Sequence, residues 1–309
     1  MVHTQVHGLT GNHDNFNKNH SFGGSLGCQG FPHHLFRVVL GITRCCVAFR
    51  KTFTNVVTQF FTMAMVPAIA AIIVRAWITK EGFADAGLRP NFRNKWRYYL
   101  IALALPVGFL IIATGLVYLF DLQVDSLPDN LGAHILLQIL TCIPSSIVLW
   151  GEEFGWTAYM RDQLLLGRPA ATTLLTGFIW GIWHAPLPLV GYGGVNANTN
   201  IVLMCFMWIP LCTVIEIIIG WLWEKSGTTW TSSLLHSGVN IVLGGTLAVL
   251  IRPEVDTNLQ MILACVSIIP FAVLAIWLMS RNKNHPVTAD IDYDLPPDPR
   301  SDLKTQHHG

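Results

Sequence analysis

The sequence predicts an all-α protein, a polytopic transmembrane helix bundle of about seven spans with polar tails. Of the 309 residues, 52% are hydrophobic and only 12% are charged, and the mean hydropathy is +0.47. A soluble domain carries roughly 25% charged residues. The formal net charge is +1, so no basic or acidic bias indicates nucleic acid. We therefore expect membrane lipid around the chain and no nucleic-acid partner.

Seven apolar segments are long enough to cross a bilayer, whose hydrocarbon core needs roughly 17–25 residues per helix. They are residues 56–78, 98–120, 132–150, 170–190, 201–223, 229–251 and 258–280. The third is less clean, because its apolar run ends at Trp150 and its helix can continue past two glutamates. Several tryptophans lie near the predicted helix ends, as an interfacial aromatic belt requires. The protein is expected to be an integral, multi-pass protein of the cell membrane.

Three regions follow from this pattern. Residues 1–52 are predicted to be a polar N-terminal tail, with an interfacial helix at 36–49 where two arginines interrupt an apolar run. Residues 53–282 would form the transmembrane domain. Residues 283–309 would form a second polar tail, because their PPDPRSD segment resists helix formation.

Basic residues between the spans predict the orientation, since cytoplasmic loops carry an excess of Lys and Arg. The first loop contains five of them and the second none, and the third contains two and the fourth none. We therefore expect the odd-numbered loops and the C-terminus on the cytoplasmic side. Four basic residues before the first span oppose this orientation. We keep it because the charges of the loops support it.

Three polar clusters interrupt the apolar helices. They are Glu152 with Glu153 in EEFGWTAYMR, His184 in WGIWH, and His236 with Asn240 in HSGVN. Isolated carboxylates, imidazoles and amides are costly inside a membrane, so these groups are expected to meet in one wet cavity. Asn240 follows His236 by four residues, which places both on one face of an α-helix. Under the predicted orientation all five side chains lie in the cytoplasmic half of the membrane.

This set of groups predicts hydrolysis, because a carboxylate and an imidazole can activate water while polar donors stabilise an oxyanion. Each cluster also has a structural explanation. Adjacent glutamates at a helix end often form a solvated interface, and a histidine with an asparagine can clamp two helices together. One shared site explains all the clusters at once. His134, also flanked by apolar residues, would lie on the opposite side, and we assign it to structure.

EEFGW, WGIWHAPL and LLHSGVN, in this order within residues 55–280, resemble the three motifs of the CAAX protease and bacteriocin-processing (CPBP) family. The resemblance implies an intramembrane endopeptidase that cleaves near the cytoplasmic face, with a prenylated, CAAX-type protein or a leader peptide as substrate. It implies that Glu152 and His184 activate water. His236 and Asn240 would stabilise the tetrahedral intermediate or help bind a metal, and Glu153 would support Glu152.

The chain departs from the family motifs at two positions. Thr157 stands where an arginine often follows the first glutamate by five residues, and Arg161 lies only approximately on the same helix face. Trp180 replaces a phenylalanine before the histidine of the second motif. The missing arginine leaves a second hypothesis open, a non-proteolytic membrane scaffold or bacteriocin-immunity-type protein of the same fold. A small transporter or proton-relay protein is a third hypothesis, because buried Glu and His can carry protons, although no inverted repeat supports it.

Metal dependence stays open from the sequence. No H-E-x-x-H zinc signature is present. Glu152, His184 and His236 could nevertheless ligate a divalent metal such as zinc, which would make the protein a metalloprotease. A metal-free route through the glutamate fits the same residues.

Overall fold

The computed structural model describes residues 63–165 and 168–281, which belong to one contact unit. Its principal helices are α1 (Met65–Ile78), α2 (Phe92–Leu119), α3 (Leu131–Leu164), α4 (Pro169–His184), α5 (Ile201–Ser226), α6 (Thr229–Leu250) and α7 (Thr257–Arg281). A short 3₁₀-helix, Leu187–Val190, follows α4. The described ranges contain no β-strand, and an isolated bridge joins Gln123 to Ile251.

Three of these helices include a segment with the wider turns of a π-helix. They are Val74–Ile78 at the end of α1, Trp156–Met160 between Leu131–Gly155 and Arg161–Leu164 of α3, and Val239–Gly244 between Thr229–Gly238 and Gly245–Leu250 of α6. Segments of this kind are common at functional sites. In α3 and α6 they begin three or four residues after a predicted site residue.

The predicted fold class is confirmed. Six helices of the described part, α2 to α7, are long and apolar enough to cross a membrane, with α4 counted together with its 3₁₀ extension. The shorter apolar helix α1 accounts for the end of the predicted first span. Residues 56–62 of that span, both predicted tails and the predicted interfacial helix at 36–49 lie outside the described ranges.

Two predicted boundaries differ from the structure. The third helix was expected over 132–150, yet α3 continues to Leu164, because Glu152 and Glu153 are buried against other helices instead of ending the helix in solvent. The second was expected from residue 98, and α2 begins at Phe92 with a polar first turn. Apolar runs mark only the part of a helix that faces lipid or core, so polar turns at the ends are missed.

Helix α6 occupies the interior of the bundle. Of the 18 most apolar consecutive residues of α6, 67% are buried, whereas 11% are buried in the corresponding stretch of α3. The spanning part of α3 exposes large apolar side chains such as Leu137, Leu140 and Ile147, as expected for a surface that faces lipid. His236 is therefore carried into the bundle interior by α6, and the last turns of α3 meet it there.

Glycines four residues apart bring α4 close to α5. A Cβ at Gly177 would lie 2.6 Å from Cα of Thr213, and one at Gly181 would lie 2.5 Å from Cα of Ile209. Small residues at this spacing let the backbones of membrane helices approach each other. The close contact places the aromatic second motif on α4 directly beside α5.

A second pair of glycines, Gly151 and Gly155, flanks the two glutamates on α3. A Cβ at Gly151 would overlap the carbonyl oxygen of Ala64, and one at Gly155 would lie 2.5 Å from the carbonyl carbon of Pro67. Helix α1 thus packs against α3 at the level of the glutamates, and this part of α3 lies within the bundle instead of ending in solvent.

Gly155→Ala is expected to destabilise the fold, because the new methyl group would meet the backbone of Pro67, which cannot rotate away. Overpacking of this kind costs about 1–3 kcal/mol. The measurement is thermal unfolding in detergent. Gly115→Ala in α2 is the matched control, since a Cβ there meets nothing within 4 Å. Equal unfolding temperatures for the two variants would contradict the close α1–α3 contact.

Candidate active site

Four of the five predicted site residues gather around the indole ring of Trp180. Trp180 Nε1 donates a hydrogen bond to Glu152 Oε2 at 3.1 Å. The ring centroid of Trp180 lies 5.7 Å from that of His184 and 5.0 Å from that of His236. Glu153 joins the group through His236, whose Nδ1 lies 2.7 Å from Glu153 Oε1. All four of these residues are at most 4% exposed.

Both histidines are held by Nδ1. His184 Nδ1 lies 3.1 Å from the carbonyl oxygen of Trp180, and His236 Nδ1 faces the carboxylate of Glu153. A carbonyl and a carboxylate oxygen accept hydrogen bonds, so Nδ1 carries the proton in each ring. A partner on one nitrogen fixes the orientation of the ring and the role of the other nitrogen. Nε2 of each ring is therefore the atom left for chemistry.

Glu153 supports the site in a different way from the sequence-based expectation. It was expected to support Glu152, whereas its carboxylate binds His236 Nδ1 and accepts a hydrogen bond from Thr157 Oγ1 at 2.8 Å. Adjacent residues on a helix point in different directions, so Glu152 can face Trp180 while Glu153 faces α6.

Asn240 does not join the other four residues. Its side chain is exposed, and within the described ranges no hydrogen bond or ring contact connects it to them. The prediction placed Asn240 on the same face as His236 by assuming α-helical geometry. The π segment begins at Val239, and its wider turns change the direction in which Asn240 points.

Aromatic rings outside the three motifs complete the surroundings of His184. Trp208 of α5 stacks on His184 with centroids 4.9 Å apart, and Tyr192 of the loop after α4 lies 6.1 Å from His184. Burial raises the pKa of Tyr192, and the charge of Glu152 raises it further. The phenol therefore stays protonated and can donate a hydrogen bond. No spacing in the sequence distinguishes these two aromatic residues from packing residues.

A buried carboxylate on α5, Glu216, was missed by the sequence analysis. Both of its oxygens lie near Thr157 Oγ1, at 3.4 Å and 3.5 Å, and the residue is 1% exposed. A signal was present, because CTVIEIIIG places one glutamate inside an apolar run. The argument applied to the other intramembrane acids applies equally to this one.

Arg161 does not take the place of the missing family arginine at the glutamates. Its guanidinium pairs with Glu224 of α5, contacts Asp162 Oδ1 at 3.0 Å, and donates from Nε to Thr173 Oγ1 at 3.2 Å. These partners lie on α3, α4 and α5 around the C-terminal end of α3, two turns beyond Glu153. At the position of the family arginine, the hydroxyl of Thr157 contacts Glu153 instead.

The residues predicted as metal ligands do not form a ready metal site. Among the described residues no three His, Cys, Asp or Glu side chains are grouped so that they could hold a metal ion. We therefore derive no step through a metal from Glu152, His184 and His236. The prediction of zinc stays a prediction.

A family model described as Type II CAAX prenyl endopeptidase Rce1-like matches residues 131–242. The resemblance stated from the three motifs is confirmed. The matched range begins at the start of α3, ends at Val242 inside the π segment of α6, and contains all five predicted site residues. No curated protein matches the chain in sequence. The match supports an intramembrane peptidase, and the six long apolar helices support an integral membrane protein.

Within this Rce1-like region, the change from phenylalanine to Trp180 has a structural consequence. The indole ring packs between the two histidines as a phenylalanine ring could, but its N–H also donates to Glu152. Glu152, a predicted catalytic group, thus accepts a hydrogen bond that a phenylalanine at position 180 could not donate.

Trp180→Phe is expected to slow peptide cleavage about tenfold to a hundredfold, because it keeps an aromatic ring and removes the donor to Glu152. A hydrogen bond to a charged group is worth about 1.5–3 kcal/mol. The measurement is kcat on a peptide substrate. Trp221→Phe is the matched control, since the buried N–H of Trp221 has no partner among the described residues. Equal rates for the two variants would show that the Trp180 N–H has no role.

Proposed function

We propose that the protein is an intramembrane endopeptidase that hydrolyses a peptide bond near the cytoplasmic membrane face with water activated by Glu152 and His184. One observation carries the proposal. A buried carboxylate and two oriented imidazoles meet around Trp180, inside a bundle of helices that are apolar enough to span a membrane. General-base hydrolysis needs these groups at close range.

The arrangement leaves suitable atoms for the first step. Glu152 Oε2 accepts from Trp180, so Oε1 and His184 Nε2 remain to orient a water molecule. Glu152 takes a proton from this water as its oxygen bonds to the carbonyl carbon of the substrate. The same carboxyl group then returns the proton to the amide nitrogen as the C–N bond breaks. Atoms and charges balance without a further reactant.

The developing oxyanion needs a donor, which Nε2 of His236 would supply. Glu153 holds His236 by Nδ1, and its charge complements an imidazolium that donates from Nε2. Asn240, the second predicted donor, is exposed and forms no hydrogen bond to the other four residues in the described part of the chain, so the proposal rests on His236. Preorganised donors of this kind contribute strongly because they need no reorganisation during the reaction.

The family description and the surroundings of the site support one substrate class as the first candidate. The matching model describes CAAX prenyl endopeptidases, so a prenylated, CAAX-type protein is the first candidate and a leader peptide the second. Aromatic rings around His184 offer an apolar surface to either substrate. We place the protein in the cell membrane with this site toward the cytoplasm.

The test uses the purified full-length protein in lipid nanodiscs. Its substrates are a farnesylated peptide with a CAAX end, the same peptide without the lipid, and a membrane-tethered leader-type peptide. Mass spectrometry locates any cut bond, and each reaction is run with and without a chelator to test the zinc prediction. Cleavage of at least one peptide at a defined bond is expected. If the protein cuts none of them, the non-proteolytic scaffold replaces the peptidase as the better hypothesis.

A further inference from the structure

A column of polar residues runs between α3 and α5, away from Trp180. On each helix the members of the column are four residues apart in the sequence, and their contacts across the two helices show that they face one another. They are Glu153, Thr157 and Arg161 on α3, and Glu216, Gly220 and Glu224 on α5. Thr157 contacts Glu216, and Arg161 pairs with Glu224. A Cβ at Gly220 would lie 2.9 Å from Arg161 Nε, so the helices are in close contact along the column.

The hydroxyl of Thr157 lies between two carboxyl groups and has one proton to donate. Oγ1 is 2.8 Å from Glu153 Oε2, and 3.4 Å and 3.5 Å from the two oxygens of Glu216. The shorter contact identifies Glu153 as the group that accepts from Thr157. The contact with Glu216 then becomes a hydrogen bond only if Glu216 carries a proton and donates it to the hydroxyl oxygen.

The surroundings of Glu216 agree with a protonated acid. Its side chain forms no ion pair within the described ranges, because Arg161, which lies further along the column, is paired with Glu224 and Asp162. A buried charge without a paired cation is expensive, and a second carboxylate at Glu153 increases that cost. A neutral Glu216 avoids both penalties and supplies the donor that Thr157 lacks.

We propose that Glu216 is a positioning residue that acts through Thr157 and Glu153 to hold His236 in its working orientation. Glu216 donates to Thr157, Thr157 donates to Glu153 Oε2, and Glu153 Oε1 accepts from His236 Nδ1. Thr157, the middle member of this hydrogen-bond chain, stands at the position where the family motif often has an arginine. The role in catalysis rests on the proposed peptidase function, whereas the hydrogen-bond chain can be tested without it.

The kinetic test uses variants that differ in single hydrogen-bonding groups. Thr157→Val keeps the shape and removes the hydroxyl, and Glu216→Leu removes the donor. Thr157→Val is expected to lower kcat about tenfold to a hundredfold, on the scale of a hydrogen bond to a charged group. Glu216→Leu removes a bond between two neutral groups and is expected to lower kcat about fivefold to tenfold, with little change in KM for either variant. Thr157→Ser and Glu216→Gln keep a donor in place and should cleave within about threefold of the parent rate. Glu216→Leu in the Thr157→Val background should add little, because both act in one chain.

Stability separates positioning from packing. Replacing a buried ionisable group by an apolar one of similar volume is often neutral or stabilising, so Glu216→Leu should lose activity without losing thermal stability. A rate for Glu216→Leu equal to that of the parent would overturn the proposal. So would a Glu216→Gln variant that is as slow as Glu216→Leu, because the amide donor would then have failed to replace the acid.

A spectroscopic measurement reads the chain directly, whether or not any peptide is cleaved. In protein with ¹⁵N-labelled histidine, the Nδ1 proton of His236 should give a strongly hydrogen-bonded NMR signal. Thr157→Val and Glu216→Leu should shift this signal while leaving that of His184 in place, since His184 binds the Trp180 carbonyl. An unchanged His236 signal in both variants would overturn the chain. If the two variants shift the His236 signal but the parent protein cleaves no peptide, the hydrogen-bond chain is supported and the peptidase function is rejected.

Discussion

Replacing Glu152 with glutamine is expected to reduce kcat for peptide cleavage about 10²–10⁴-fold, the range of a general base. The amide oxygen can still accept the hydrogen bond from Trp180 Nε1, so the site keeps its packing. What is lost is the ability to take a proton from water. Steady-state cleavage of the peptide that the parent cuts fastest is the measurement, with circular dichroism to confirm folding.

Glu254→Gln is the matched control for this variant, because Glu254 is an exposed residue in the loop between α6 and α7. It makes the same change of a carboxylate to an amide far from Trp180 and should leave the rate unchanged. A Glu152→Gln protein that cleaves as fast as Glu254→Gln would remove Glu152 from the reaction. The general base would then have to be sought at another carboxyl group.

Hydropathy predicted the helices of this protein well, because lipid-facing and core-facing surfaces are both apolar and the whole span is visible in the sequence. It predicted less well what happens at helix ends. Helix α3 continues past Glu152 to Leu164, since α1 packs on Gly151 and Gly155 while the two glutamates face Trp180 and His236. Glycines four residues apart on α3 and α4 are readable as close-packing motifs, but only the structure identifies the helix that each one meets.

Four of the five predicted site residues meet in the structure, but the sequence did not predict how they are connected, and their role in catalysis stays a prediction. Residue type identified Glu152, His184 and His236 because polar groups inside apolar helices need partners. Which partner each one takes depends on distances between helices, so the pairing of Glu153 with His236 could not be foreseen. Asn240 shows a second limit, since a π segment changes helix geometry without a clear mark in the sequence.

Thr157 illustrates how one departure from a motif can be read in two ways. From the sequence it suggested a lost charge and a weakened peptidase. In the structure it is fully buried and bridges Glu153 to Glu216, an acid on a helix outside the three motifs. A motif compares single positions, whereas a hydrogen-bonded group is defined by all the helices that contribute to it.

Removing the imidazole of His184 is the second change for which we expect a very large effect. In His184→Phe an aromatic ring remains to stack on Trp208, which lies 4.9 Å away between ring centroids, while both ring nitrogens disappear. Nε2 can then no longer orient the attacking water beside Glu152. We expect kcat to fall about 10²–10⁴-fold, as for the loss of an acid–base group.

The measurement for His184→Phe is the same cleavage assay, with thermal unfolding recorded alongside it. His134→Phe is the matched control, because His134 lies near the start of α3 and its ring nitrogen contacts Gln138 at 2.8 Å, away from Trp180. The control should keep the parent rate even if its unfolding temperature changes. If the activity of His184→Phe falls only in proportion to the amount of folded protein, the imidazole is a packing group. Glu152 would then activate water without help from His184. A folded His184→Phe protein that no longer cleaves, beside an active His134→Phe, assigns the ring nitrogen to the reaction.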